Sequence, residues 1–195
     1  MQDEPGPDLL RRFVHGDRDA YEVLFRQFEH DVYRWIVRIV REPAAAEDAL
    51  IDAFWRAYRS RARFDPSRSF GAWMRRIATH AAIDQVHAAR RRRWISLDDA
   101  GRRDAVDPDA AGVVPGHDAS PYGVAESASD ANAIVGAFGA LPAKLQVVAR
   151  LALIEELPQS EIATALGVPV GTVKSRLFRA TRLLRKELAR LGVRT

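Results

Sequence analysis

Apolar side chains recur at three- and four-residue spacing from about Asp8 to Trp94 and again from about Ala131 to Leu191, and the chain between loses that rhythm. This is the period of a helix that buries one face. The expected fold is therefore all-α, with two small helical domains, 8–95 and 131–192, joined by a flexible acidic linker, 96–130. A chain of 195 residues with 47% hydrophobic content has enough apolar side chain for two such cores.

In the first block the breakers are few: Gly16, Pro43 and the stretch from Pro66 to Gly71. They divide it into a helix over about Asp19 to Ile39, one over about Ala44 to Arg63 and one over about Phe70 to Arg93. The first carries Tyr21, Leu24, Phe25, Phe28, Val32, Trp35 and Ile36 at helical spacing, and the second places Leu50, Phe54, Ala57 and Tyr58 on one side. From Ser96 to Asp130 the composition shifts to Asp, Ala, Gly, Pro and Ser. Asp98, Asp99, Asp104, Asp107, Asp109, Asp118, Glu126 and Asp130 there face only Arg102 and Arg103. Such a segment reads as an acidic tether.

The second block contains the layout of a helix-turn-helix. A short helix from about Gln159 to Leu166 meets Gly167, where a left-handed turn residue is favoured, and a second helix begins near Val170. Ile162, Ala163, Leu166, Val168, Val173 and Leu177 form the expected small core between them. The second helix would present Thr172, Lys174, Ser175, Arg176, Phe178, Arg179 and Arg182 for duplex DNA, readers near its start and basic phosphate contacts later. Pro158 and Pro169 stand where Ser or Asp would usually cap, so weaker caps are expected.

With both blocks in view, the chain resembles the extracytoplasmic-function sigma factors of the sigma-70 class. Asp48-Ala-Leu-Ile-Asp-Ala-Phe-Trp-Arg-Ala-Tyr-Arg is similar to the family's polymerase-binding helix. Phe64 to Met74 resembles the loop and helix start used in strand opening, and Gly167 to Ala180 resembles the reader of the −35 element. The resemblance implies a transcription initiation factor rather than an enzyme, with core RNA polymerase and promoter DNA as partners and an anti-sigma factor as a further one. It implies polymerase contacts at Asp48, Asp52, Trp55 and Arg56. It also implies that the −10 element is held as single strand by the loop residues Phe64, Ser67 and Arg68 and by the helix that follows.

That helix can be tested against single-strand chemistry. At about 100 degrees per residue, Phe70, Met74, Ile77, Ala78 and Ala81 share one side, while Arg76, His80, His87, Arg90 and Arg91 share another. The basic stripe suits backbone tracking, and Phe64, Phe70 and Trp73 either offer planes on which unstacked bases could lie or, as aromatic residues at helical spacing usually do, belong to the core. His80 and Asp84 stand where the family often carries amides, so this factor's base preference is expected to differ there. His80, Asp84 and His87 could also face one ion, yet the neighbouring arginines make a poor cation site and no HExxH pattern occurs, so neither metal nor cofactor is expected.

Composition narrows the setting. Cysteine is absent, which excludes disulfides, thiolate metal sites and cysteine nucleophiles. No run of about 18 apolar residues occurs, and Met1 to Pro7 is acidic rather than signal-like, so a cytoplasmic protein is expected. The formal charge of +4 suits a polyanionic partner. The rival reading is a free-standing helix-turn-helix regulator whose first domain senses or dimerises. The linker must also reach: a relaxed coil of its length spans roughly 30 Å, against about 70 Å for two turns of B-DNA, while full extension passes about 110 Å.

Overall fold

The computed structural model describes residues 4–100 and 121–193, all of whose regular elements are helical. In the first half these are α1 (Pro7–Val14), α2 (Arg18–Val40), α3 (Pro43–Ser60) with a 3-10 turn over Arg61–Arg63, and α4 (Phe70–Ala100). In the second they are α5 (Pro121–Ala140), α6 (Ala143–Leu153), α7 (Gln159–Leu166) and α8 (Val170–Arg190). Helix therefore enters the stretch expected as linker from both ends. Residues 101–120 of that stretch, with their acidic side chains, lie outside the described residues.

The starts of the helices follow local chemistry. Asp17 caps α2, its Oδ1 accepting from the amides of Asp19 at 2.9 Å and Ala20 at 3.2 Å, while Oδ2 accepts from Arg12 Nε at 2.7 Å. Pro43 occupies the first turn of α3, where its missing N–H costs nothing. Pro158 and Pro169 take the cap positions of α7 and α8, and neither helix has a side-chain cap.

Leu24, Phe28, Trp35, Ile36 and Ile39 of α2 meet an alanine face on α3, Ala46, Ala49, Ala53 and Ala57, and Met74, Ala78, Ala81 and Ala82 of α4. The small residues let the three helix axes approach closely, and the large side chains of α2 fill the space between. Trp35 is held in place by polarity as well as packing. Its Nε1–H donates to the buried Thr79 hydroxyl at 2.9 Å, which donates onward to the Arg75 carbonyl at 2.7 Å.

The two halves are not separate cores. Val147, Val148 and Leu151 of α6, Ile162 and Leu166 of α7 and Val173 of α8 belong to the same buried cluster as the first half. A smaller cluster, with Phe138, Leu141, Ala180 and Leu184, lies between α5, α6 and α8. Charged groups tie the seam: Arg38 to Glu155 at 3.5 Å, Arg75 to Glu161 at 3.3 Å, and Arg150 Nη1 donating to the Ile39 carbonyl. Ile39 lies in the last turn of α2, so Arg150 supplies from the other half a cation to carbonyls left open at a helix end. Burial, then Arg41, push the Arg150 guanidinium down to about 10, partly offset by Glu155.

Candidate nucleic-acid interface

The helix-turn-helix is closed by backbone geometry that only its sequence permits. Gly167 sits at φ +63° and ψ 37°, its N–H donating to the Thr164 carbonyl at 3.2 Å, and Val168 N–H donates to the Ala163 carbonyl at 3.0 Å. This pair of bonds ends α7 and turns the chain into α8. Val173 and Ala180 of α8 are buried, which fixes its roll. Lys174, Ser175, Phe178, Arg179 and Arg182 are thereby exposed, and Thr172 and Arg176 are half-buried at the edge. Phe178 stands 69% exposed among basic residues, a large apolar ring open to solvent. The Ser175 hydroxyl donates to the Thr172 carbonyl at 3.0 Å, so its oxygen faces outward as an acceptor.

On α4 the basic face has the composition expected of it. Arg76, His80 and Arg91 are exposed and His87 is half-buried; the side chain of Arg90 lies outside the described residues. His80 Nδ1–H donates to the Arg76 carbonyl at 2.8 Å, which leaves Nε2 for a further partner. Asp84 is exposed but engaged, its carboxylate meeting at 2.7 Å an Arg56 guanidinium that it shares with Asp52, so its charge is partly offset. Among the described residues no three His, Asp or Glu side chains converge as metal ligands would.

Of the two readings of the aromatic rings, burial favours the core for Phe64 and Phe70. Phe64 and Phe70 are buried, packed edge to face at 5.6 Å, and Trp73 lies tilted against Phe64 at 4.8 Å and half-buried. Phe64 and Phe70 therefore serve the core and offer no face to a base in this arrangement. What they do is stiffen the loop between them. Asp65 folds that loop, its Oδ1 accepting from the Ser67 amide at 3.0 Å and the Ser67 hydroxyl at 2.7 Å. These bonds, led by the amide, hold its carboxyl below the ordinary aspartate value. Arg68 and Ser69 remain exposed on the loop.

One participant is invisible to sequence patterns. Glu4 reaches the start of α4, where Oε2 accepts from the Phe70 amide at 3.0 Å and Oε1 accepts from the Ser69 hydroxyl. A lone glutamate 66 residues away in the chain carries no local signal of that contact.

On α3, Asp48 and Trp55 are exposed, and Asp52 and Arg56 are half-buried. Ile51, 68% exposed on the same face, extends this surface and was not among the expected contacts. A face with two uncovered apolar side chains rimmed by carboxylates suits a protein partner.

The two candidate surfaces meet. The turn at Gly167 lies so close to α4 that a Cβ there would come within 2.6 Å of Arg76 Nε. A cleft of about 520 Å³ runs between the halves further along, lined by Glu42 and Ala45 at the start of α3 and Glu187 and Arg190 at the end of α8, with Arg150 and Gln85 between.

Comparison with known proteins identifies both halves. Residues 24–94 match the family model for sigma-70 region 2, and residues 131–184 match that for sigma-70 region 4. The ECF RNA polymerase sigma factor SigW of Bacillus subtilis is 32% identical, over 92% of this chain and 94% of the relative. The RNA polymerase sigma-H factor of Pseudomonas aeruginosa is 29% identical, over 96% of each chain. Among solved structures, the sigma factor RpoE of Bartonella quintana, in complex with the anti-sigma factor NepR, is 18% identical, with 87% of this chain and 96% of that chain covered and a TM-score of 0.48. The first half, which the rival regulator reading would have made a sensor, is the part that matches region 2. The chain belongs to the extracytoplasmic-function RNA polymerase sigma factors of the sigma-70 family, a family of transcription initiation factors.

Proposed function

We propose that this sigma factor is closed when free and is opened by core RNA polymerase. In the open form α3 docks on polymerase through Asp48, Asp52, Trp55 and Arg56, the loop before α4 and its Arg76–His80 face hold the opened −10 strand, and α8 reads the −35 duplex. The observation that carries this reading is the seat of Gly167 against Arg76. Arg76 is exposed but its guanidinium rests against the turn of the helix-turn-helix, which stands in the path of a strand along that face of α4, whereas Lys174, Phe178 and Arg179 on α8 point away from the contact. Two readers packed on one body also cannot span about two turns of duplex, so the halves must part for both elements to be met.

The seam is suited to release. Its ion pairs are partly exposed, and Arg150 is a buried cation that among the described residues has no carboxylate at hydrogen-bond distance and no partner for Nε. Such a group gives back part of what the packing gains. Family membership adds an anti-sigma factor as a partner, for which exposed Leu153, Ile154, Leu183 and Leu191 supply apolar surface. No helix among the described residues is long and apolar enough to cross a membrane, and the site of action is the cytoplasm, where core polymerase works.

The absence of cysteine allows a direct test. Dyes placed through Ala44→Cys and Ala189→Cys, both exposed and beside the same cleft, should transfer energy efficiently in the free protein and poorly once core polymerase is added. Unchanged transfer in the complex rules out opening.

A further inference from the structure

The cleft between the halves contains a buried cation with an unused hydrogen-bonding edge. Its volume of about 520 Å³ suits a small organic molecule, and its walls come from both halves: Ala45 of α3 with Val86 and Ala89 of α4, and Gly136 with Ala140 of α5. Arg150 of α6 lines the same space although only 8% of it is exposed. Its Nη1 donates to the Ile39 carbonyl, and among the described residues neither Nε nor Nη2 has a hydrogen-bond partner. Burial and the nearby Arg41 disfavour the charge, and Glu155, already paired with Arg38 at 3.5 Å, offsets them only in part. A buried cation with open donors is costly, and an anion within hydrogen-bond reach would offset that cost.

The open edge selects the anion. Nε and Nη2 of a guanidinium donate two parallel bonds at the spacing of the two oxygens of a carboxylate. Two carboxylates line the same cleft, Glu187, which is paired with Arg190 at 2.6 Å, and the exposed Glu42. They disfavour a dianion more than a monoanion. Beyond the charged groups, Val40, Ala45, Val86 and Ala89 give the ligand an apolar wall.

We propose that this cleft binds a small monocarboxylate with an apolar body, its oxygens on Nε and Nη2 of Arg150 and its body against Val40, Ala45, Val86 and Ala89. Because the walls belong to both halves, the ligand fits the closed form alone and holds it shut against polymerase, a consequence that rests on the opening proposed above.

The probe is octanoate, added to the full-length protein in phosphate-free buffer, with sodium chloride at equal ionic strength as the reference. Octanoate should raise the melting temperature saturably, and inorganic phosphate should not. Arg150→Lys keeps the charge but loses the two-donor edge and should weaken the octanoate response by about tenfold or more. Gly136→Leu should do the same by filling the space from α5, where an added Cβ meets no atom within 4 Å, and it covers the case in which Arg150→Lys fails to fold. No saturable response, a response that both variants keep, or a response to phosphate in place of octanoate overturns the proposal. Affinity for core polymerase separates it from the reading beneath. At about ten times its Kd, octanoate should weaken core binding about tenfold in the unsubstituted protein and leave Gly136→Leu unaffected. Octanoate binding that both variants lose, with core affinity unchanged throughout, supports the site and sinks the opening.

Discussion

Arg56 on α3 holds Asp84 on α4 at 2.7 Å through Nη1, while its Nη2 and Nε hold Asp52 at 2.6 and 2.9 Å. One guanidinium thus spans the proposed polymerase-docking helix and the proposed strand-holding helix. Asp84, which alone would repel a phosphate backbone, has its charge partly offset by a residue outside its own helix.

Arg56→Ala should therefore weaken strand binding by the polymerase complex although Arg56 itself touches no strand, because it bares the Asp84 carboxylate. Arg56→Ala combined with Asp84→Ala should recover it. Stability should fall by only about 0.5 to 1 kcal/mol in the single variant, since both partners are partly open to solvent. A double-mutant cycle on strand affinity reads the coupling, and strictly additive effects exclude it.

Gly167→Ala should destabilise the second half by about 1 to 2 kcal/mol, because φ +63° puts an L side chain in the left-handed region. It should also loosen the seam, since the new Cβ meets Arg76 Nε at 2.6 Å. Adding Arg76→Ala should restore the seam but not the backbone term. Denaturant melts combined with energy transfer across the seam separate the two contributions.

On α8, Arg179→Ala should cost about 1 to 3 kcal/mol on a −35 duplex if it meets a base edge, and should alter which base is preferred at one position. The comparison is between affinities for a set of single-base variants of the site. A uniform loss on all of them assigns Arg179 to a phosphate instead.

Acid should act on the cap of α2. The Arg12 hydrogen bond, then the Ala20 amide, hold the Asp17 carboxyl below the ordinary aspartate value. A group whose folded pKa is lowered contributes stability above its unfolded pKa and loses it as pH falls through the folded value. The melting temperature should drop below about pH 4, and Asp17→Asn, which keeps an acceptor for the Ala20 amide, should flatten part of that drop. Thermal melts across this range read the difference between the two curves.

Much of the fold was legible because helical periodicity reports directly which side of a helix is covered. The break at Gly16, Pro43 at the start of α3 and Gly167 between α7 and α8 all act within a few residues, and local chemistry determines them. The outward set on α8, Lys174, Ser175, Phe178 and Arg179, follows once Val173 and Ala180 are known to face in. Phe64 and Phe70 were ambiguous for a physical reason: an aromatic ring beside a loop can fill a core or face a base with the same sequence around it. The structure assigns both rings to the core.

By itself the sequence determined the long helices α2 and α3, the start of α4 and the two helices of the helix-turn-helix, with their buried faces and turn, and the family to which both halves are similar, since each depends on neighbours a few residues apart. Only the tertiary structure decided that α6 and α7 share a core with α2 and α4, that Arg150 reaches the Ile39 carbonyl, that Arg56 pairs with Asp84, and that Glu4 sits on the start of α4. Those contacts join residues far apart in the chain, and they depend on the relative rotation and spacing of whole helices, which no local pattern encodes.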